Sequence, residues 1–225
     1  MRLTHYGHSC LLVEIADQRI LLDPGAFSDG FEKVTGLDAI LVTHQHPDHW
    51  DAERLPEVVR ANPEAQLLVE AETGEILRAK GLDAVDLVSG TPVRLGAVSV
   101  NPVGDQHAVI HSDIPRIHNT GVVLRAEGEP SVFHPGDALD AETGEVDVLC
   151  VPINAPWCAM KETIEFVRRI GSRTLVPIHD GLLQARGREL YLRQVQNFGG
   201  GTPDAPDTHP VAFTDLAGAG PVEFS

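Results

Sequence analysis

The chain has 225 residues, 17 Lys+Arg against 33 Asp+Glu for a formal net charge of −16, and 42% hydrophobic residues. So acidic a surface repels phosphate backbones and anionic lipids, which excludes extended nucleic-acid tracking and membrane-surface binding. The length supports one domain over 1–225 with a sizeable core, and is too short for two enzyme domains and a linker.

From the first residue the pattern is a run of short strands at Leu3–Tyr6, Cys10–Ile15, Arg19–Leu22 and Ala39–Thr43, separated by Gly, Asp and Pro turns. Helical spacing follows at Ala52–Ala61 and Glu72–Lys80, with a strand between them at Gln66–Glu70. Strands return at Val93–Leu95, Val98–Val103, Thr120–Ala126, Ser131–His134 and Val148–Pro152. The last helices, Met160–Ile170 and Glu189–Phe198, flank a strand at Thr174–Ile178, and 199–210 is rich in Gly, Pro and Asp and reads as a loop. Strands, helices, strands, helices is the order of two face-to-face sheets with helices outside, an α/β protein built as a four-layer αββα sandwich. The halves echo each other: Ala39–His44 and Thr174–His179 both deliver a histidine from an apolar strand, and Leu-Leu-Asp23-Pro-Gly resembles His-Pro-Gly-Asp137.

No apolar leader precedes the first strand and no stretch approaches 18 apolar residues, so the expectation is a cytoplasmic protein without membrane spans. Cys10, Cys150 and Cys158 are odd in number, and two lie in apolar runs, which predicts buried free thiols.

The stretch Thr43-His44-Gln45-His46-Pro47-Asp48-His49 places four potential ligands within six residues at the end of an apolar strand. An extended segment alternates its side chains, so His44, His46 and Asp48 project to one side, and Pro47 keeps His46 out of the helical region. Imidazoles and a carboxylate suit Zn²⁺ and tolerate Mn²⁺ or Fe²⁺. A strand-to-helix turn that merely caps the helix would explain Asp48 or Asp51, but not three crowded histidines. His107, Asp137 and His179 stand at other strand ends and supply further candidates.

On these residues, with Tyr6-Gly7-His8-Ser9 and Leu21-Leu22-Asp23-Pro24, the chain from Met1 to about Gly181 resembles the metallo-β-lactamase superfamily, and within it the small ascorbate-6-phosphate-lactonase-like hydrolases. The resemblance implies a first metal on His44, His46 and His107, a second on Asp48, His49 and His179, and Asp137 bridging both. Two divalent ions about 3.5–4 Å apart share a water, drop its pKa towards about 7 and present hydroxide to a carbonyl or phosphorus. Asp48 would orient that nucleophile, and Asp23 resembles an acid that fixes a ligand histidine's tautomer. His46 stands where oxygen-reducing diiron relatives have Glu, which argues for hydrolysis.

The expectation is a hydrolase of a small ester, lactone or phosphoester, with no nucleic-acid partner and a homo-oligomer permitted. The competing readings are a non-hydrolytic metal- or metabolite-binding protein and an iron-dependent redox or sulfur enzyme. Candidate substrate residues are His8, at a strand turn, His118 and Asn119 in the irregular stretch 108–119, and Trp157 in the loop after Val148–Pro152.

Overall fold

The computed structural model describes residues 1–201, 209 and 211–225, so most of the predicted 199–210 loop lies outside the described residues. Within them are two seven-stranded sheets. In the first, β1 (Arg2–His5), β2 (Leu11–Ile15) and β3 (Gln18–Leu22) are antiparallel, and β4 (Ala39–Val42), β5 (Gln66–Glu70) and β6 (Ala84–Leu87) add in parallel. The second repeats the plan. Here β7 (Val93–Leu95), β8 (Val98–Val103), β9 (Gly121–Arg125) and β10 (Val132–His134) are antiparallel, and β11 (Val148–Pro152), β12 (Thr174–Ile178) and β13 (Ala212–Phe213) continue in parallel. The last strand, β14 (Val222–Glu223), returns to pair with β1. In chain order α1 (Leu55–Ala61) and α2 (Ala71–Ala79) connect the parallel strands of the first sheet, and α3 (Met160–Ile170) and α4 (Ala185–Phe198) those of the second.

Alternation across the strands builds the layers. Leu11, Val13, Ile15 and Leu41 of the first sheet pack with Val98, Val100, Leu124 and Cys150 of the second. Residues of opposite parity face outward, Leu12, Ile40 and Val42 against Leu55, Val58 and Leu77, and Leu149, Val151 and Leu175 against Phe166, Val167 and Val195. β4 and β11, covered on both faces, are buried throughout, which is why they read as continuous apolar runs. Each of their larger side chains contributes about 1.5–3 kcal/mol by burial. The αββα sandwich expected from the element order is the observed one.

Five elements differ from expectation. α1 starts at Leu55 because Asp51 Oδ1 accepts from the backbone of Glu53 and Arg54 at 2.8 Å and holds a turn ahead of Pro56. α4 starts a turn early at Ala185, where Ala-Arg-Gly-Arg has no apolar periodicity. β6, β13 and β14 were not expected, being short and held by long-range pairing. The internal echo is also only half topological. β3 and β10 are equivalent, each antiparallel to one neighbour and parallel to the next, so the Asp23 and Asp137 turns correspond. β4, however, matches β11 and not β12. All three cysteines are free, Cys10 and Cys150 buried and Cys158 half-buried. Among the described residues no helix is long and apolar enough to cross a membrane.

Candidate metal centre

The carboxyl ends of the parallel strands meet at one end of the sandwich. β3 delivers Asp23, β4 delivers Thr43 and the 44–49 segment, β10 delivers Asp137 and β12 delivers His179, while the turns after β1 and β8 bring His8 and His107. Of the five non-glycine residues with positive φ among the described residues, three are here: His8 (50°), Asp23 (44°) and His179 (58°). Such backbone costs on the order of 1–3 kcal/mol per residue and persists where the surroundings fix it.

Two groups of donor atoms result. His44, His46, His107 and Asp137 form one, and His8, Asp48, His49 and His179 the other, each with its donor atoms within 4.8 Å of one another. Asp137 touches both. Its Oδ2 lies 3.4 Å from His107 Nε2, 3.9 Å from His44 Nε2 and 3.2 Å from His179 Nε2, and its Oδ1 lies 3.0 Å from His49 Nε2.

The hydrogen bonding tests whether cations fit. Each outward ring nitrogen is occupied: His107 Nδ1 donates to the Ala108 carbonyl at 2.7 Å, His179 Nδ1 to the Asn154 carbonyl at 2.7 Å, and His49 Nδ1 to Asp23 Oδ2 at 2.6 Å. Those bonds fix the tautomer and turn the other nitrogen's lone pair inward. The inward atoms, His49 Nε2, His107 Nε2, His179 Nε2 and Asp137 Oδ1, are buried and crowd one another at 3.0–3.4 Å around the Asp137 carboxylate without forming a well-aligned hydrogen bond. Such orphans cost about 1–3 kcal/mol each, and a shared cation removes the cost. In the first group His44 Nε2 and His46 Nδ1 are 3.1 Å apart, close to the roughly 3.3 Å between two nitrogens on a tetrahedral zinc. The residues fit two divalent ions.

Other side chains hold this arrangement. Asp23, fully buried, accepts from Thr43 N and Thr43 Oγ1 at 2.8 Å as well as from His49. His8 Nδ1 accepts from Gly181 N at 3.2 Å, so its Nε2 carries the proton donated to Asp48 Oδ2 at 3.1 Å. Trp157 Nε1 donates to Asp137 Oδ2 at 2.9 Å. Asn119 ties the Asp137 turn, accepting from Asp137 N and donating to the Pro135 carbonyl, both at 2.9 Å. Gly136 (φ 61°) is required there, since a Cβ would lie 2.3 Å from Asn119 Oδ1.

A model of the β-lactamase superfamily domain matches residues 2–179. The chain belongs to the β-lactamase superfamily. Within the superfamily it is 42% identical over 196 residues to Protein Rv0786c of Mycobacterium tuberculosis, covering 85% of this chain and 89% of that protein. It is 30% identical to a UPF0173 metal-dependent hydrolase of Methylobacterium nodulans, over 80% of this chain and 85% of that protein. Among solved structures, Igni18, a metallo hydrolase of Ignicoccus hospitalis, aligns with a TM-score of 0.69 at 20% identity over 100% of this chain and 99% of its own. CmlA, a diiron β-hydroxylase of Streptomyces venezuelae, shares the fold with a TM-score of 0.69 at 21% identity, over 89% of this chain and 52% of its own.

In this superfamily member all seven residues expected as ligands converge, and His8 joins them. The residues expected at the substrate are placed differently. Asn119 is fully buried and committed to backbone, so it corrects the expectation of a binding residue. His118 belongs to neither donor group, and its half-exposed ring lies 3.6 Å from Asp105. Trp157 is buried and spends its N–H on Asp137. His8 reaches the site through Asp48. Two features escape sequence reasoning: the Asn154 and Ala108 carbonyls that orient the rings, and Gly25. The Asp-Pro-Gly and His-Pro-Gly-Asp turns are the one visible signal of the tight backbone at the superfamily site.

The superfamily centre also titrates in opposed directions. Burial holds His44, His46 and His8 below the ordinary histidine range, with neighbouring rings adding to the effect. Burial opposes charge on His49 and His179 as well and is the largest single influence, yet Asp137 together with Asp23 at His49, and Asp137 together with the Asn154 carbonyl at His179, raise both. Burial would raise Asp48, but the His8 hydrogen bond and His49 pull it down to about 2. The lowered histidines contribute stability that is present above about pH 6.5 and lost as pH falls. The raised pair contributes stability present below about pH 6.5 and lost as pH rises through their folded values. Chelated protein is therefore expected to lose stability as pH rises above about 6.5, while metal-loaded protein, whose imidazoles must be neutral, is not. Thermal melts across that range check this, and parallel curves for the two forms would contradict it.

Proposed function

We propose that this superfamily member is a metal-dependent hydrolase, as its relatives are named, that works with two divalent cations on a small ester, lactone or phosphoester in the cytoplasm. His44, His46 and His107 would hold one ion, Asp48, His49 and His179 the other, with Asp137 between them. The observation that carries this reading is the set of tautomer-fixed rings whose buried inward nitrogens converge on the Asp137 carboxylate without a well-aligned hydrogen bond. When bound, the cations would lower the pKa of a water and polarise the electrophile. Five imidazoles and two carboxylates suit Zn²⁺ first, with Mn²⁺ or Fe²⁺ also accommodated.

The remaining work falls to the chain. His46 and Asp48 are the half-buried members of the two groups, so substrate approaches on their side. Asp48, ionised at neutral pH, can accept the proton of an attacking water and orient it, while the His8 N–H holds the other edge of that role in place. Trp157 keeps Asp137 turned toward both groups, and Asp23 with Thr43 holds the His49 ring.

Chelation should abolish turnover of lactone, aryl ester and bis-aryl phosphodiester substrates, and stoichiometric Zn²⁺ should restore at least one. No turnover with any of Zn²⁺, Mn²⁺ or Fe²⁺ would favour a binding protein. Oxygen uptake confined to the iron form would favour redox chemistry.

A further inference from the structure

Large apolar side chains stay exposed on a protein surface at a cost, and a group of them around a polar site marks what the site accepts. Phe27, Val109, Ile114 and Leu182 are 48%, 60%, 48% and 58% exposed. Phe27 stacks edge-on against His8, with ring centroids 5.2 Å apart. Leu182 follows Gly181, whose N–H holds the His8 ring, and lies three residues beyond His179. On the other side, Val109 and Ile114 line a small cavity together with His46 and His107. Each donor group thus has exposed apolar residues beside it, Phe27 and, along the chain, Leu182 by the His8 group, and Val109 and Ile114 by the His46 group.

Charge points the same way. Among the described residues every ion pair of Asp48 and Asp137 is to a histidine. Arg116, the basic residue lining that cavity, donates Nε to the His107 carbonyl, with its Nη2 3.8 Å from Asp140. Arg54, beneath the Phe27 loop, is taken up by Asp51 and the Gly25 and Ser28 carbonyls, and Arg188, near Leu182, by Asp180 and Asp215. Apart from the cations themselves, a phosphate ester bound here would find Arg54 and Arg188 fully taken up, Arg116 held through its Nε, and carboxylates nearby.

We infer that the substrate is an uncharged carboxylic ester or lactone whose apolar group rests on Phe27, Val109, Ile114 and Leu182, with its carbonyl presented to His46 and Asp48, and that it is not a phosphoester. In the reaction water adds to the acyl carbon, the acyl C–O bond breaks, the carbonyl side leaves as a carboxylic acid and the other oxygen takes a proton as an alcohol. This rests on the metal-dependent hydrolase reading.

The test uses full-length protein of measured zinc content. Calorimetry follows binding of straight-chain hydroxamates from acetyl to octanoyl, and kcat/KM is measured for the matching p-nitrophenyl esters and for bis-p-nitrophenyl phosphate. A fully buried methylene is worth about four-fold in affinity and a rim covers one side of the chain, so about two-fold per methylene is expected, about 60-fold from acetyl to octanoyl. Val109→Asp and Leu182→Asp should flatten both series, while Val85→Asp, exposed on the edge strand β6, should leave them unchanged. A flat hydroxamate series on zinc-loaded protein, or a phosphodiester preferred over the octanoyl ester, would overturn the inference and leave the hydrolase reading standing. Failure to retain any of zinc, manganese or iron would overturn both. Concentration-dependent dimers that Val109→Asp abolishes, with a flat series, would show the rim to be a contact between two copies, and would overturn it too.

Discussion

Gly25→Ala is expected to destabilise the protein by about 3 kcal/mol or more and to remove its metal-dependent activity. A Cβ at Gly25 would lie 1.7 Å from the Asp48 carbonyl oxygen, 2.0 Å from its carbonyl carbon and 2.5 Å from His49 N. These are backbone atoms between two residues of the metal centre, so no side-chain rotation can relieve the clash. The contact is held from both directions: Ala26 N donates to the Pro47 carbonyl at 2.8 Å, and Asp51 N to the Pro24 carbonyl at 2.9 Å. Either the 23–26 turn or the 46–49 segment must move, and the latter carries three of the seven proposed ligands. For a chain of this length a loss of that size lowers Tm by about 6–12 °C. Gly187→Ala serves as the control. It lies inside α4, where a Cβ would meet only Leu183 Cδ2 at 3.6 Å, and it should raise stability by about 0.5–1 kcal/mol with activity intact. Thermal melts and turnover on the two variants check the pair, and a Gly25→Ala protein that melts and turns over like the wild type would contradict the account.

Asp137→Ala is expected to lower activity on the order of 10³-fold or more, because it removes the one carboxylate shared by the two donor groups. Its oxygens lie within 3.9 Å of His44, His49, His107 and His179, and the Trp157 N–H would be left buried without its acceptor. The loss should appear in metal affinity as well as in kcat. In the chelated protein the same change withdraws the charge that raises His49 and His179, so the expected decline in stability as pH rises above about 6.5 should shrink. Tryptophan fluorescence adds a readout, since Trp157 loses its partner. Full activity in Asp137→Ala would mean that the two groups work independently.

Much of this site was legible in the chain because its information is local. His44, His46, Asp48 and His49 are fixed by covalent spacing at the end of a strand covered on both faces, and periodicity alone identified that strand. His107, Asp137 and His179 were visible as polar residues closing apolar runs. The shape of the sandwich followed from the order of elements. Contacts between distant segments were not legible. Asn119 and Trp157 are 18 and 20 residues from Asp137, and nothing in their own neighbourhoods says that one ties its backbone and the other its carboxylate. Gly25 looks like any glycine in an Asp-Pro-Gly turn until the Asp48 backbone is laid against it. His118 is the opposite case, a histidine in the expected loop whose ring the fold turns toward Asp105 and away from the centre. The apparent repeat of Ala39–His44 in Thr174–His179 misled for a related reason: two buried parallel strands share composition without sharing a place in the sheet.

The most direct test of the central claim is metal content by mass spectrometry on wild-type protein and on His46→Ala and His179→Ala, each reloaded with zinc and desalted. The account predicts about two ions per wild-type chain and about one in each variant, because each substitution breaks one donor group and spares the other. One ion or none in the wild type, or no change in the variants, would contradict a two-ion centre built on these residues.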